Sequence, residues 1–333
     1  MSTFRHRRIL AAAAAAVVAI TAFSGIAAQA APRSGADDRP TGDTVLANSF
    51  SAVDRNTSWN QTGKLKLDFP THHPQGIAYT EDHIFLSSVE IVERTVKYPS
   101  PQDGYDRSAG KGVGHLFVMD KSGKLEKDII MGEGDMYHPG GLDFDGENIW
   151  VSVAQYRPNS SSIIYRIDAS TLEAEKQFEV PDHFGGVVMD RQTGHLVGNT
   201  WGSRRFAEWN LNGKQLSTWQ NPNHFIDYQD CQYVASSQAL CAGVTNLPQT
   251  QAAVGTSGTY ELGGVALIDL AKGTTLHEVP IQKWSTAGHV VTRNPFKLTA
   301  DGGHLTMHVA PDDYEEGNGT EILTYEATVT PAN

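Results

Sequence analysis

The sequence predicts an all-β chain folded as a single β-propeller of four-stranded blades, with five blades expected and six left open. Two observations carry that expectation. Short apolar runs of strand type recur in an ordered set of four, and the set repeats every 45 to 65 residues or so, the signature of propeller blades. The chain also ends one strand short of a full set, while its first strand has no set of its own.

The opening strand of each unit is the clearest repeat. Segments 73–79 (HPQGIAY), 138–144 (HPGGLDF) and 183–189 (HFGGVVM) align almost without gaps. Each leads through a polar turn into a second apolar run at 84–88 (IFLSS), 149–153 (IWVSV) and 195–199 (HLVGN). A fourth pair is 227–233 (DYQDCQY) with 239–243 (ALCAG), and a fifth is 294–300 (NPFKLTA) with 304–308 (HLTMH). Third strands follow at 115–120, 163–168, 206–210 and 265–269, and fourth strands at 124–130, 173–180, 214–219 and 275–279. All are brief and bounded by turn residues. The fifth unit reaches its third strand at 321–325 and stops; segment 64–69 (KLKLDF) alternates apolar and polar and would fill the vacant outer place, removing two open sheet edges. A sixth blade requires extra strands within 87–114 or 244–263.

Residues 1–30 carry Arg5, Arg7 and Arg8, an alanine-rich apolar run and an Ala28-Gln29-Ala30 ending, which together form a signal-peptide pattern rather than a membrane anchor. Arg7-Arg8 leaves the export route open between the general and twin-arginine systems. Residues 31–45 have the composition of a disordered leader, and 46–333 form the propeller domain. The expected product is secreted, with no stable membrane anchor after cleavage. Its formal charge of −12 becomes −15 once the three signal-segment arginines are removed. That balance argues against nucleic-acid or anionic-membrane partners. Cys231 and Cys241, ten residues apart in an oxidising compartment, are expected to form a disulfide across a hairpin.

The Pro-x-Gly-Ile openings and the Ile-Asp-x-x-Thr/Gly-x-Leu turns resemble the broad group of gluconolactonase and strictosidine-synthase-like secreted propellers. The resemblance implies a propeller with an axial calcium held by Glu, Asn and Asp side chains. At several blade openings this chain places histidine instead, which makes calcium the less expected metal. It also resembles other secreted bacterial propellers, a likeness that carries no activity.

Opening strands line a propeller's axis, so His73, His138 and His183 are expected at one mouth of the central channel. His224 and His289 precede the fourth and fifth openings. Gathered imidazoles suit zinc, iron or copper. The expected metal ligands are His73, His138, His183, His289 and Asp227, for water activation or carbonyl polarisation. Structural tying of neighbouring strands is the competing role for these histidines. Asp227, Asp230 and Glu90 are the candidate acids or bases, and His224, Asn199, Trp201, Arg204 and Arg293 the candidate substrate contacts. Long second-to-third-strand loops at 89–114, 245–263 and 310–320 belong to the same face. Two function classes follow. One is a metal-assisted hydrolase or lyase acting on a small molecule or sugar derivative. The other is a non-catalytic propeller binding a ligand or protein partner.

Overall fold

The computed structural model describes residues 43–249, 258–316 and 319–331. The expected signal segment 1–30, and the expected leader as far as 42, lie outside the described residues. Where the leader was expected to end there is instead a short helix, α1 (Thr44–Ser51), capped by the Asp43 carboxylate on the amide of Leu46 at 2.9 Å. Leu46 and Phe50 are buried on its inner face.

Five four-stranded antiparallel meanders follow, each called a sheet below; the second and third are joined by one parallel bridge, Gly141 to Gly186, into a single eight-stranded sheet. The first runs β2 (His73–Tyr79), β3 (Ile84–Glu93), β6 (Lys111–Met119) and β7 (Leu125–Met131), and between β3 and β6 the hairpin β4 (Lys97–Gln102) and β5 (Tyr105–Arg107) is inserted. The second is β8 (Met136–Phe144), β9 (Asn148–Gln155), β10 (Ser162–Asp168) and β11 (Ala174–Val180). The third is β12 (Phe184–Asp190), β13 (His195–Thr200), β14 (Arg205–Trp209) and β15 (Gln215–Gln220). The fourth is β16 (Asp227–Tyr233), β17 (Gln238–Gln249), β18 (Gly258–Asp269) and β19 (Thr274–Pro280). The fifth joins β20 (Phe296–Asp301), β21 (His304–Val309) and β22 (Glu321–Thr328) to β1 (Asn60–Lys66), which pairs antiparallel with β22. Among the described residues, the segments held open for a sixth unit contain the β4–β5 hairpin and an elongation of β17 and β18, not a further four-stranded sheet.

Burial orders the strands from inside out. In β8 only the two end residues escape full burial, whereas β1, β7, β11, β15 and β19 are largely exposed or alternate. Each sheet packs against two others. In β2, Ala78 joins the core shared with the second sheet, and its neighbour Ile77 joins Ile322 and Ala310 of the fifth-sheet region. Further apolar cores lie between the second and third, third and fourth, and fourth and fifth sheets, with α1 covering the last. Four-stranded meanders stacked face to face with buried inner strands are the β-propeller fold.

The repeated glycines of the opening strands mark where these strands nearly touch. A Cβ on Gly140 would lie 1.9 Å from the carbonyl oxygen of Gly185, and one on Gly76 would lie 2.7 Å from the amide of Leu142. No larger residue fits there. Cys231 and Cys241 face each other across β16 and β17 and form the expected disulfide.

Candidate functional site

The first residues of the opening strands surround a cavity of about 360 Å³. His73 and Gln75 come from the first sheet, His138 from the second, His183 from the turn before β12, Asp227 from β16, and Arg293 from the turn before β20. Asn199 and Trp201 enter from the end of β13, and Tyr156 from the end of β9. On the same strands Gly76 and Gly140 pack so closely on their neighbours that no Cβ fits.

Three imidazoles form a row. The ring centroids of His73 and His138 are 6.4 Å apart, as are those of His138 and His183. His138 stacks on Tyr156 at 4.3 Å, and His183 meets the edge of Trp201 at 4.8 Å. Arg107, from the inserted hairpin, lies over Trp201 at 5.0 Å. That contact brings the long 89–114 loop to the rim.

Each histidine is held differently. The Nδ1 of His183 donates to the Gln155 carbonyl at 2.7 Å, which leaves Nε2 as the acceptor. Burial pulls its pKa down to about 4, against that carbonyl and with help from Arg107. Burial also holds His138 well below 6.5, with the neighbouring His73 and His183 acting in the same direction. Its Nε2 is buried without a hydrogen-bond partner among the described residues. His73 instead donates from Nδ1 to Asp313 at 2.5 Å, and Asp313 lies 3.7 Å from the Arg293 guanidinium. Burial pushes the Asp313 carboxyl up, but His73, Arg293 and His289 outweigh it and hold the group ionised below its usual range.

Of the residues singled out in the sequence, His73, His138, His183, Asn199, Trp201, Asp227 and Arg293 line this cavity. The others sit elsewhere. Arg204 pairs with Asp227 at 3.0 Å and its Nη1 lies 2.7 Å from the His224 ring, just behind the cavity wall. His289 is clasped between Glu261 at 3.0 Å and Glu316 at 3.1 Å. Four members of the set His73, His138, His183, His289 and Asp227 each have their own partner: Asp313 for His73, Gln155 for His183, the two glutamates for His289 and Arg204 for Asp227. Among the described residues, a different trio, His72, Glu90 and His115, brings its ligand atoms within 4.8 Å of one another. Glu90 belongs to an adjoining cavity of about 560 Å³ that shares His73, Tyr156 and Arg293 with the first.

Asp230 lies at the axis, 1 % exposed. Its Oδ2 accepts from the amides of Ile77 at 3.1 Å and Phe296 at 3.0 Å, and its Oδ1 from Leu142 at 3.1 Å. It thus joins three other sheets to β16. Burial pushes its carboxyl up to about 8, against the pull of the three amides. Asp143 ties Met189 and Tyr233 in the same way.

Sequence reasoning did not single out Tyr156 or give Asp313 a role. Tyr156 carries no repeat signal, and Asp313 lies in the 310–320 loop beside Asp312, Glu315 and Glu316, with nothing in the sequence to set it apart from them.

No curated protein sequence matches the chain. Solved propellers resemble it weakly. Streptogramin B lyase superposes with a TM-score of 0.36 at 13% identity, covering 81% of this chain and 98% of its own. A luciferin-regenerating enzyme gives 0.43 at 11%, covering 82% and 95%. The β-propeller domain of the trilobed protease from Pyrococcus furiosus gives 0.32 at 11%, covering 78% and 71%. A family match spans residues 43–331, almost the whole described chain, and so the chain belongs to the family of unknown function DUF6454.

Proposed function

We propose that this chain is an extracytoplasmic five-bladed propeller, closed by β1, that acts as a hydrolase or lyase on a small polar molecule in the axial cavity. The observation that supports catalysis is the His73–Asp313 pair at the cavity wall. A carboxylate on Nδ1 fixes the tautomer and presents Nε2 as a base, the arrangement that general acid–base chemistry needs. A proton passes from water or substrate to Nε2 and returns to the leaving group. His138 and His183 are held neutral by burial and serve as polar walls.

The cavity volume fits a ligand of sugar size. Tyr156 and Trp201 offer flat apolar faces, and Gln75, Asn199 and Asn246 offer amides, a mixture suited to a sugar derivative or another hydroxylated ring. Arg293 adds hydrogen-bond donors to the wall, its charge being shared with Asp313 at 3.7 Å and Glu316 at 3.6 Å. The disulfide supports the extracytoplasmic setting.

The test is a screen of lactones, glycosides and uronide-type elimination substrates, followed by His73→Asn and Asp313→Asn. Loss of about 10²-fold or more in kcat for both, with KM nearly unchanged, supports the assignment. A substrate whose turnover survives His73→Asn overturns it. A ligand bound in the cavity but never turned over moves the protein to the binding class.

A further inference from the structure

We infer that His72, Glu90 and His115 form a zinc seat beside the axial cavity, separate from the acid–base pair and independent of it. The trio is assembled by sheet register. His115 in β6 stands opposite Ser88 in β3, and Glu90 lies two residues beyond Ser88, so Glu90 is diagonal to His115 on the same face. His72, immediately before β2, stacks its ring on His115 at 5.1 Å. The ligand atoms of all three lie within 4.8 Å of one another.

His115 carries the argument. It is 6 % exposed, and its Nε2 is buried without a hydrogen-bond partner among the described residues. The nearest carboxylate oxygen is that of Glu90, 3.9 Å away. A buried acceptor nitrogen left unpaired is costly unless something occupies it. The other nitrogen, Nδ1, is 3.0 Å from both oxygens of Asp128 on β7 and donates to them. A carboxylate behind one ring nitrogen, with the other turned to a cluster of donors, is how proteins orient and strengthen a metal-binding imidazole. Phe117 stacks on the same ring at 5.0 Å and fixes its plane.

His72 completes the trio from the left-handed backbone region: its φ of 57° is one that histidine, with asparagine and aspartate, tolerates better than other non-glycine residues. This backbone turn presents one histidine to the trio while the next residue, His73, faces the axial cavity.

Two imidazoles and one carboxylate are three good ligands for zinc, and their nitrogen content disfavours calcium and magnesium. Ligands at zinc distances are about 3.3 Å from one another in a tetrahedron, so atoms within 4.8 Å of one another close by at most about 1.5 Å. His72 and Glu90 are partly exposed, and the one carboxylate near His72 Nδ1, that of Glu315 at 3.7 Å, is itself largely exposed and yields to such a movement. Three protein ligands leave one position for water or for an oxygen of a bound molecule in the adjoining cavity.

The experiment uses the chain purified without a polyhistidine tag, stripped of metal, and titrated with Zn²⁺ and with Co²⁺ as the spectroscopic probe. One ion per chain and visible Co²⁺ bands of a four- or five-coordinate site are expected. His72→Asn and Glu90→Gln, both at partly exposed positions and checked for native circular dichroism, should each weaken affinity at least tenfold. Asp128→Asn, which leaves every ligand in place, should weaken it by about 10- to 100-fold. Failure of the wild-type chain to bind Zn²⁺, or unchanged stoichiometry in the His72→Asn/Glu90→Gln double variant, overturns the seat. Loss of the ion in His73→Asn or His183→Asn, with His72→Asn unaffected, also overturns it by moving the metal to the axial row. Turnover plays no part in this readout, so failure of the acid–base assignment leaves it intact.

Discussion

Asp227 and Asp230 stand three residues apart on one strand, yet they live in opposite environments. Asp227 opens β16 at the cavity wall, keeps its side chain partly in solvent and pairs with Arg204. Asp230 is sealed at the axis and spends both oxygens on backbone amides from the first, second and fifth sheets. The difference lies in depth along the strand. At the rim, the opening strands have diverged enough to leave a cavity of about 360 Å³ between them. One turn of the pleat further in, they approach until glycine is required, and any polar group there must satisfy neighbouring strands. In a fold of this kind the rim residues are free for chemistry, and the inner ones hold the sheets together.

The strongest way to break this contrast is Asp230→Asn. The amide has the same size but places an NH₂ against at least one of the three backbone N–H groups. Stability should fall by about 3 kcal/mol, because a buried donor is then left facing a donor. Urea unfolding measures it. A variant with native stability and no turnover would place Asp230 in the chemistry and erase the distinction drawn between the two aspartates.

A smaller, pH-dependent effect sharpens it. His183 lies at the rim but is fully buried, with its pKa lowered to about 4 from 6.5. The folded chain therefore holds fewer protons than the unfolded chain between those values. Its contribution is fully present above pH 6.5 and is lost as the pH falls to about 4. Two and a half units correspond to about 3 kcal/mol for complete loss. The test is the difference between wild type and His183→Asn, measured at pH 7 and near pH 4, because Asp230 titrates with the opposite sign over the same interval. A difference independent of pH would mean that His183 is solvated, and the wall of neutral imidazoles would be lost from the site.

The strand sets were legible because each unit repeats both its apolar runs and its glycines, and a repeated structure writes the same constraints several times. β16 coincides with its expected 227–233 segment, and β12 begins one residue after His183. The strand expected at 64–69 is seated four residues earlier, at β1, because its partner β22 sets the register. Helix α1 carried no readable signal: eight residues are too short for a periodic pattern, and burial of Leu46 and Phe50 holds it in place. For the site, position was legible but partnership was not. The sequence placed His73, His138 and His183 at one mouth. It could not say that Asp313 and Gln155 would each take one of their nitrogens. Still less visible was the His72, Glu90 and His115 trio, which arises from the pairing of β3 with β6 and from one residue of positive φ.

The smallest expected effect belongs to Asp227→Asn. Its ion pair with Arg204 is partly exposed on both sides, so solvent screens it and the loss should stay below about 1 kcal/mol. Burial outweighs Arg204 and raises the Asp227 carboxyl above its usual value, so removing the charge also removes part of a desolvation cost. Unfolding in urea should give a midpoint close to wild type with the same slope, and ligand affinity should change instead, because Asp227 faces the cavity. A loss approaching that of Asp230→Asn would show that the rim is knitted as tightly as the axis. The first residues of the opening strands would then be structural throughout, and the search for catalytic groups would move to the inserted hairpin and the 310–320 loop.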